Sequence, residues 1–248
     1  MSAAAPAGRR VAAQARFETG TLLRNGEQLL VAVILPALAL VGLAYGHSPS
    51  LGPGRRIDVA VPGVLALAII STAFTGQAIS TGFDRRYGVL RLLGASPLGR
   101  PGLLAAKALA VLALELLQAI VIGGLGVALG WHPHWLGLLP AVVVALLGTW
   151  AFVAMALLLA GTVRAEGVLA VANLVWVVLL ALGGVIIPRS EQPAGLSHLA
   201  ATLPSSALAD GLREAFLHGR LAGIPVLVLL LWGAGATALA ARTFRWGD

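Results

Sequence analysis

Long apolar runs, separated by short polar segments, occupy almost all of the chain between Gln28 and Ala241. They extend from Leu29 to Tyr45, Val59 to Phe83, Leu103 to Leu129, Leu136 to Ala160, Gly167 to Ile187 and Ile224 to Ala241. A helix rises about 1.5 Å per residue and the hydrocarbon core is about 30 Å thick, so roughly 20 apolar residues cross a bilayer. The pattern predicts an all-α integral membrane protein with six transmembrane helices. Runs three and four share a charge-free stretch from Leu116 to Val163. One helix of about 48 residues would be about twice the core thickness, so a turn is expected at Trp131-His132-Pro133-His134-Trp135.

Three shorter helices are predicted beside the spans. Val11 to Gln28 carries Val11, Ala15, Phe17, Leu22 and Leu23 among arginines, the pattern of an N-terminal interfacial helix. A flexible basic tail is the alternative for the part before Phe17. After Leu203-Pro204-Ser205-Ser206, where Ser205 or Ser206 is placed to cap, Leu208, Leu212 and Phe216 recur every four residues. That spacing predicts a short external amphipathic helix on the membrane surface before the last span, acting either as a gate over a central cavity or as a packing cap. Between runs two and three, Asp84 is placed to cap or begin a helix, Leu90 and Leu93 to give it an apolar edge, and Gly94 with Pro97 to end it. The domain reading is a cytoplasmic tail and interfacial helix over 1–28, a membrane domain over 29–241 and a cytoplasmic tail over 242–248.

Composition narrows the class. Of 248 residues, 58% are hydrophobic and 11% charged, against roughly 25% charged in soluble domains. The net charge of +7 is dispersed over loops, which suits membrane lipid headgroups and an acidic partner rather than nucleic acid. Cysteine is absent, which excludes disulfides and thiolate metal sites. The Ala- and Arg-rich start shows no secretory signal and is expected to be retained. Counting Lys and Arg by side gives twelve with the N-terminus and five opposite, so both termini are expected to be cytoplasmic.

Polar residues inside the spans are the candidate chemistry. Glu115 falls near the middle of the third run with Gln118 one turn away, and a carboxylate there must face the interior, stay protonated or meet a polar partner. The two are read either as contacts for a cationic substrate or as structural hydrogen bonds. Asn173 invites an interhelical bond. Ser71, Thr72, Thr75, Gln77, Ser80 and Thr81 form a strip that either lines a path or bonds its own backbone. His132 and His134 lack the further ligands a metal needs, and Ser205, Ser206 and His198 lack a nucleophile's spacing. Neither a catalytic constellation nor a metal site is expected.

The segment Asp84-Arg85-Arg86, Gly88, Leu90, Leu93 and Ser96-Pro97-Leu98 resembles the loop of ABC-2 type transporter permeases. Leu203-Pro204 followed by Asp210, Leu212 and Arg213 resembles that family's external stretch before the last span. Tyr87 stands where an acid is common, and Val89 where Thr is common. The resemblance implies one transmembrane half of a bacterial exporter, multi-pass in the plasma membrane. It implies a second six-span permease, identical or related, and two cytoplasmic ATPase subunits. Asp84, Arg85, Arg86, Gly88, Leu90, Leu93, Ser96 and Pro97 would then form a cytoplasmic coupling helix. Ser71, Thr75, Glu115, Gln118 and Asn173 would face the cargo, expected to be an antibiotic or other hydrophobic drug, with lipid or lipid-linked glycan as the alternative. A non-transporting membrane scaffold or sensor is the other reading. A Gly-x-x-x-x-Gly-Lys-Ser/Thr loop is lacking here, so no cofactor is expected in this chain, and the partner ATPase would bind ATP and Mg.

Overall fold

The computed structural model describes residues 5–246. The ends of both expected tails, 1–4 and 247–248, lie outside the described residues. Within them the regular elements are helices. Helix α1 is Ala7–Arg24. Helix α2 runs through Gly26–Leu29, a π-helical turn at Leu30–Ile34 and Leu35–Tyr45. Helix α3, Arg56–Arg86, contains a second π-helical stretch at Ile70–Gly76. There follow α4 (Val89–Ala95), α5 (Gly99–Ala128), α6 (Trp135–Thr162), α7 (Ala165–Leu182), α8 (Ala194–Ala200), α9 (Pro204–His218) and α10 (Gly223–Thr243).

Five of these, α3, α5, α6, α7 and α10, are long and apolar enough to cross a membrane, and the apolar part of α2, Leu30–Tyr45, is shorter. They are apolar on nearly all sides, which marks helices solvated by lipid rather than water. Leu139, Leu174, Ile224 and Leu231 accordingly stand exposed on outward faces. Helix α3 is the exception and the centre of the bundle: 72% of its most apolar stretch is buried, against 22–39% for the other four. It packs against α2, α5, α6 and α9, while α6 lies along α10 and α1 along α5.

Four expectations are corrected here. The fifth apolar run ends as a helix at Leu182, not Ile187, because Gly183 and a left-handed Gly184 (φ 64°) stop it. The N-terminal helix starts earlier than Val11 and breaks at extended Asn25. The helix after Leu203 does not lie on a surface: Leu208, Ala209, Leu212, Arg213 and Ala215 are among its many buried residues. It is wedged between α3, α6 and α10. Pro204 rather than a serine opens it, since Pro at the first turn sacrifices only an N–H that has no helical acceptor. Ser205 Oγ instead donates to Leu179 O (3.0 Å), tying α9 to α7.

Arg213 explains how a charged residue is tolerated inside this wedge. Its guanidinium donates to Gly184 O (2.8 Å) and Val185 O (2.5 Å) and pairs with Asp210, which also holds Arg189. Burial draws its pKa below the ordinary guanidinium value, and Asp210 opposes the shift. The carbonyls it meets follow the end of α7, where a helix runs out of its own donors.

Candidate functional site

Two polar regions stand out. The first is the segment joining α3 to α5. Helix α3 continues as far as Arg86, a turn at Tyr87-Gly88 follows, and α4 is closed by Ser96, whose Oγ donates to Leu93 O (2.6 Å). Asp84 therefore sits inside a helix and caps nothing. It accepts from Lys107 Nζ (2.6 Å), which also donates to Glu18 of α1 (3.2 Å). The Lys107 side chain is only 5% exposed, so this ion triad fastens α1, α3 and α5 to one buried charge.

The two arginines after Asp84 divide their work. Arg85 is buried and donates to Ala160 O (2.5 Å) and Val163 O (2.7 Å), the carbonyls at the end of α6. Arg86 pairs with Glu166 at the start of α7. Both face the α6–α7 turn. Leu90 is buried in the chain's own packing, so the outward apolar edge expected of it is supplied by others: Leu92 and Tyr87 are 75% and 71% exposed. Leu93 and Gly88 are half-buried, and Pro97 is exposed. The chain's end returns here. Arg100 lies 4.5 Å from the Trp246 ring, and Phe244 packs edge-on against Trp246.

The second region is a half-open cavity of about 600 Å³ lined by α1, α2, α3, α5 and α7. Ser71, Thr72, Thr75, Gln77 and Ser80 of α3 line it together with Asn173 and Trp176 of α7 and Glu18 of α1. Trp176 Nε1 donates to Ser71 Oγ (3.0 Å). Ser71, Thr75 and Asn173 are thus brought together. Asn173 makes no interhelical bond: it is exposed and donates to Leu169 O of its own helix. Thr81 is turned away from the cavity and accepts from Gln77 Nε2.

Glu115 and Gln118 do not line this cavity and serve different neighbours. Glu115 meets Thr149 of α6 at 2.7 Å, while Thr149 Oγ1 also donates to Ala145 O at 2.9 Å. A hydroxyl has one hydrogen, so both contacts form together only when the carboxyl itself donates. Gln118 Nε2 donates to Ala32 O (2.7 Å) and Thr72 Oγ1 (2.8 Å).

Set against known families, residues 12–217 match the ABC-2 type transporter model. The chain belongs to the ABC-2 type transporter family. No curated protein matches it. An ABC-2 permease is the membrane component of an ABC transporter and works with a separate ATPase, so this multi-pass membrane chain is a transporter subunit.

Of the residues that the structure adds to these regions, one has a recognisable signal in the sequence. Lys107 is the chain's one lysine and interrupts an apolar run, so it required a partner. Leu92 carried no local signal, because which face of a short helix points outward is decided by tertiary packing, and the partners of Trp176 and Trp246 are distant in sequence.

Proposed function

We propose that the chain is one half of an ATP-driven exporter in a bacterial plasma membrane, with six spans and both termini in the cytoplasm. α2 would be the first span, its helix from Gly26 compensating for the short apolar part. A second six-span permease, identical or related, completes the path, and two ATPase subunits bind ATP and Mg. They press on α4, and the cargo is a hydrophobic or amphipathic molecule, an antibiotic or other drug. The observation that carries this reading is the division of the α3–α5 segment. Its arginines and Leu90 hold it to the bundle while Leu92 and Tyr87 are offered outward. Such a segment converts a push on its outer face into displacement of α3, the central helix. The cavity walled by Ser71, Thr75 and Asn173 supports cargo entry, since its hydroxyls, amide and Trp176 ring combine apolar area with a few polar groups. Glu115 and Gln118 support the path from behind it.

Co-purification in nanodiscs with candidate ABC ATPase subunits tests the assignment. Recovery of the ATPase with the native chain, and its loss with Leu92→Asp and Tyr87→Ala while the membrane domain elutes unchanged, is expected. Undiminished recovery with those variants refutes the docking face. If every candidate ATPase fails to bind the native chain, the scaffold or sensor reading takes its place.

A further inference from the structure

The two π-helical turns, Leu30–Ile34 in α2 and Ile70–Gly76 in α3, lie on opposite sides of Gln118. Both contribute to the polar cavity, through Val31 and Ala32 on one side and Ser71, Thr72, Thr75 and Gly76 on the other. A helix interior rarely leaves a carbonyl without its i+4 donor, but Pro36 has no N–H, and the carbonyl four residues before it is that of Ala32. The proline ring also crowds that carbonyl, and a widened turn relieves the crowding. Ala32 and Pro36 are both buried, so water does not readily replace the missing bond.

Gln118 Nε2 supplies a donor to the carbonyl that Pro36 cannot serve. It reaches Ala32 O at 2.7 Å with one hydrogen and Thr72 Oγ1 at 2.8 Å with the other. The orientation of the amide is fixed by chemistry, because a carbonyl only accepts and the nitrogen must face it. Gln118 is 1% exposed and Thr72 8%, so both bonds are dry. We infer that Gln118 is a positioning residue that supplies the hydrogen bond removed by Pro36 and thereby clasps the two π-helical turns into one cavity wall. The importance of that wall for cargo rests on the exporter reading; the clasp itself does not.

The absence of cysteine gives a test without transport or a known cargo. Thr75→Cys places a single thiol on the cavity wall, and its reaction with N-ethylmaleimide in detergent reports how often the wall opens. Losing a donor to a buried carbonyl is worth about 1–3 kcal/mol, so Gln118→Leu is expected to speed labelling by roughly fivefold to 150-fold. Gln118→Met, which keeps the length of the side chain but has no donor, should do likewise. Pro36→Ala returns an N–H to Ala32 O, and Pro36→Ala with Gln118→Leu should recover at least half of the loss on a logarithmic scale and restore thermal stability. A purely space-filling role for Gln118 would gain nothing from Pro36→Ala. Native labelling in Gln118→Leu, or a defect left unchanged by Pro36→Ala, overturns the inference. If Gln118→Leu fails to accumulate, accumulation of the double variant supports it and failure of the double variant overturns it. Loss of ATPase association leaves these readings untouched, so failure of the clasp and failure of the exporter assignment are distinguishable.

Discussion

Neutralising Lys107 separates the charge of the triad from its shape. Lys107→Met keeps most of the side-chain volume but strands Glu18 and Asp84, whose side chains are 17% and 30% exposed. Removing one partner from a fully buried ion pair destabilises by about 3–5 kcal/mol. Here the carboxylates retain some water, which brings the expected loss to about 2–3 kcal/mol. At about 2–4 °C per kcal/mol for a chain of this size, the apparent melting temperature should fall by roughly 4–12 °C. Fluorescence-detected size exclusion after stepwise heating measures it. The combined change Glu18→Gln, Asp84→Asn and Lys107→Met leaves no stranded charge and should recover most of that loss, because well-packed neutral groups often replace a buried pair at little penalty. Its ATPase complex should nevertheless show weakened coupling, since neutral contacts hold α1 to the docking segment less firmly. A drop below 1 °C for Lys107→Met, or a triple variant no more stable than the single one, would refute the claim that the triad is a buried electrostatic joint.

Other outcomes follow from the same contacts. Arg85→Met removes the donors from Ala160 O and Val163 O and is expected to destabilise by about 2–4 kcal/mol; Arg86→Met breaks a pair with exposed partners and should stay within about 1 kcal/mol. Urea-free thermal scans in one detergent compare the two. Glu115→Gln can donate to Thr149 as the protonated carboxyl does and should change stability by less than about 1 kcal/mol, whereas Glu115→Ala, which leaves a gap, should lose about 2 kcal/mol or more in the same scan. Gly137→Ala would place a Cβ 1.9 Å from Ala215 O, so expression of folded protein should collapse; Gly123→Ala meets nothing within 4 Å and should be neutral or slightly stabilising.

Much of the helix plan is legible because bilayer thickness imposes a length on apolar runs that no tertiary contact overrides. Boundaries at Leu182 and Arg24 were less legible, since Gly183-Gly184 and Asn25 act through local backbone geometry inside otherwise continuous patterns. The α9 helix shows why periodicity alone misleads. Its Leu208, Leu212 and Phe216 stripe reads as the face of a surface helix, but the small residues Ala207, Ala209, Gly211 and Ala215 let its other faces approach neighbours as well. Polarity was similarly ambiguous: Glu115, Gln118 and Asn173 look alike as intramembrane polar residues. One meets Thr149, one bridges α2 and α3, and one bonds its own helix. Only the three-dimensional neighbours separate them.

Those neighbours also determine where a push on α4 would travel in the proposed exporter. Three of the contacts that fasten the docking segment differ in stiffness. Arg85 grips the α6 terminus through two short hydrogen bonds, and Lys107 holds α1 and α3 through a shielded triad. The third joins Trp246 to Arg100 by a cation–π contact, worth about 0.5–1 kcal/mol, beside an Arg245 N–H bond to Gly161 O (3.2 Å). Force follows the stiffer joints, so motion of α4 is delivered chiefly to α3 and α6 and, through Asp84, to the N-terminal helix. Removing residues 244–248 should consequently reduce coupling far less than Lys107→Met does, measured as cargo-stimulated over basal ATP hydrolysis in the assembled complex. A larger defect from the truncation would show that the aromatic tail, not the triad, carries the load.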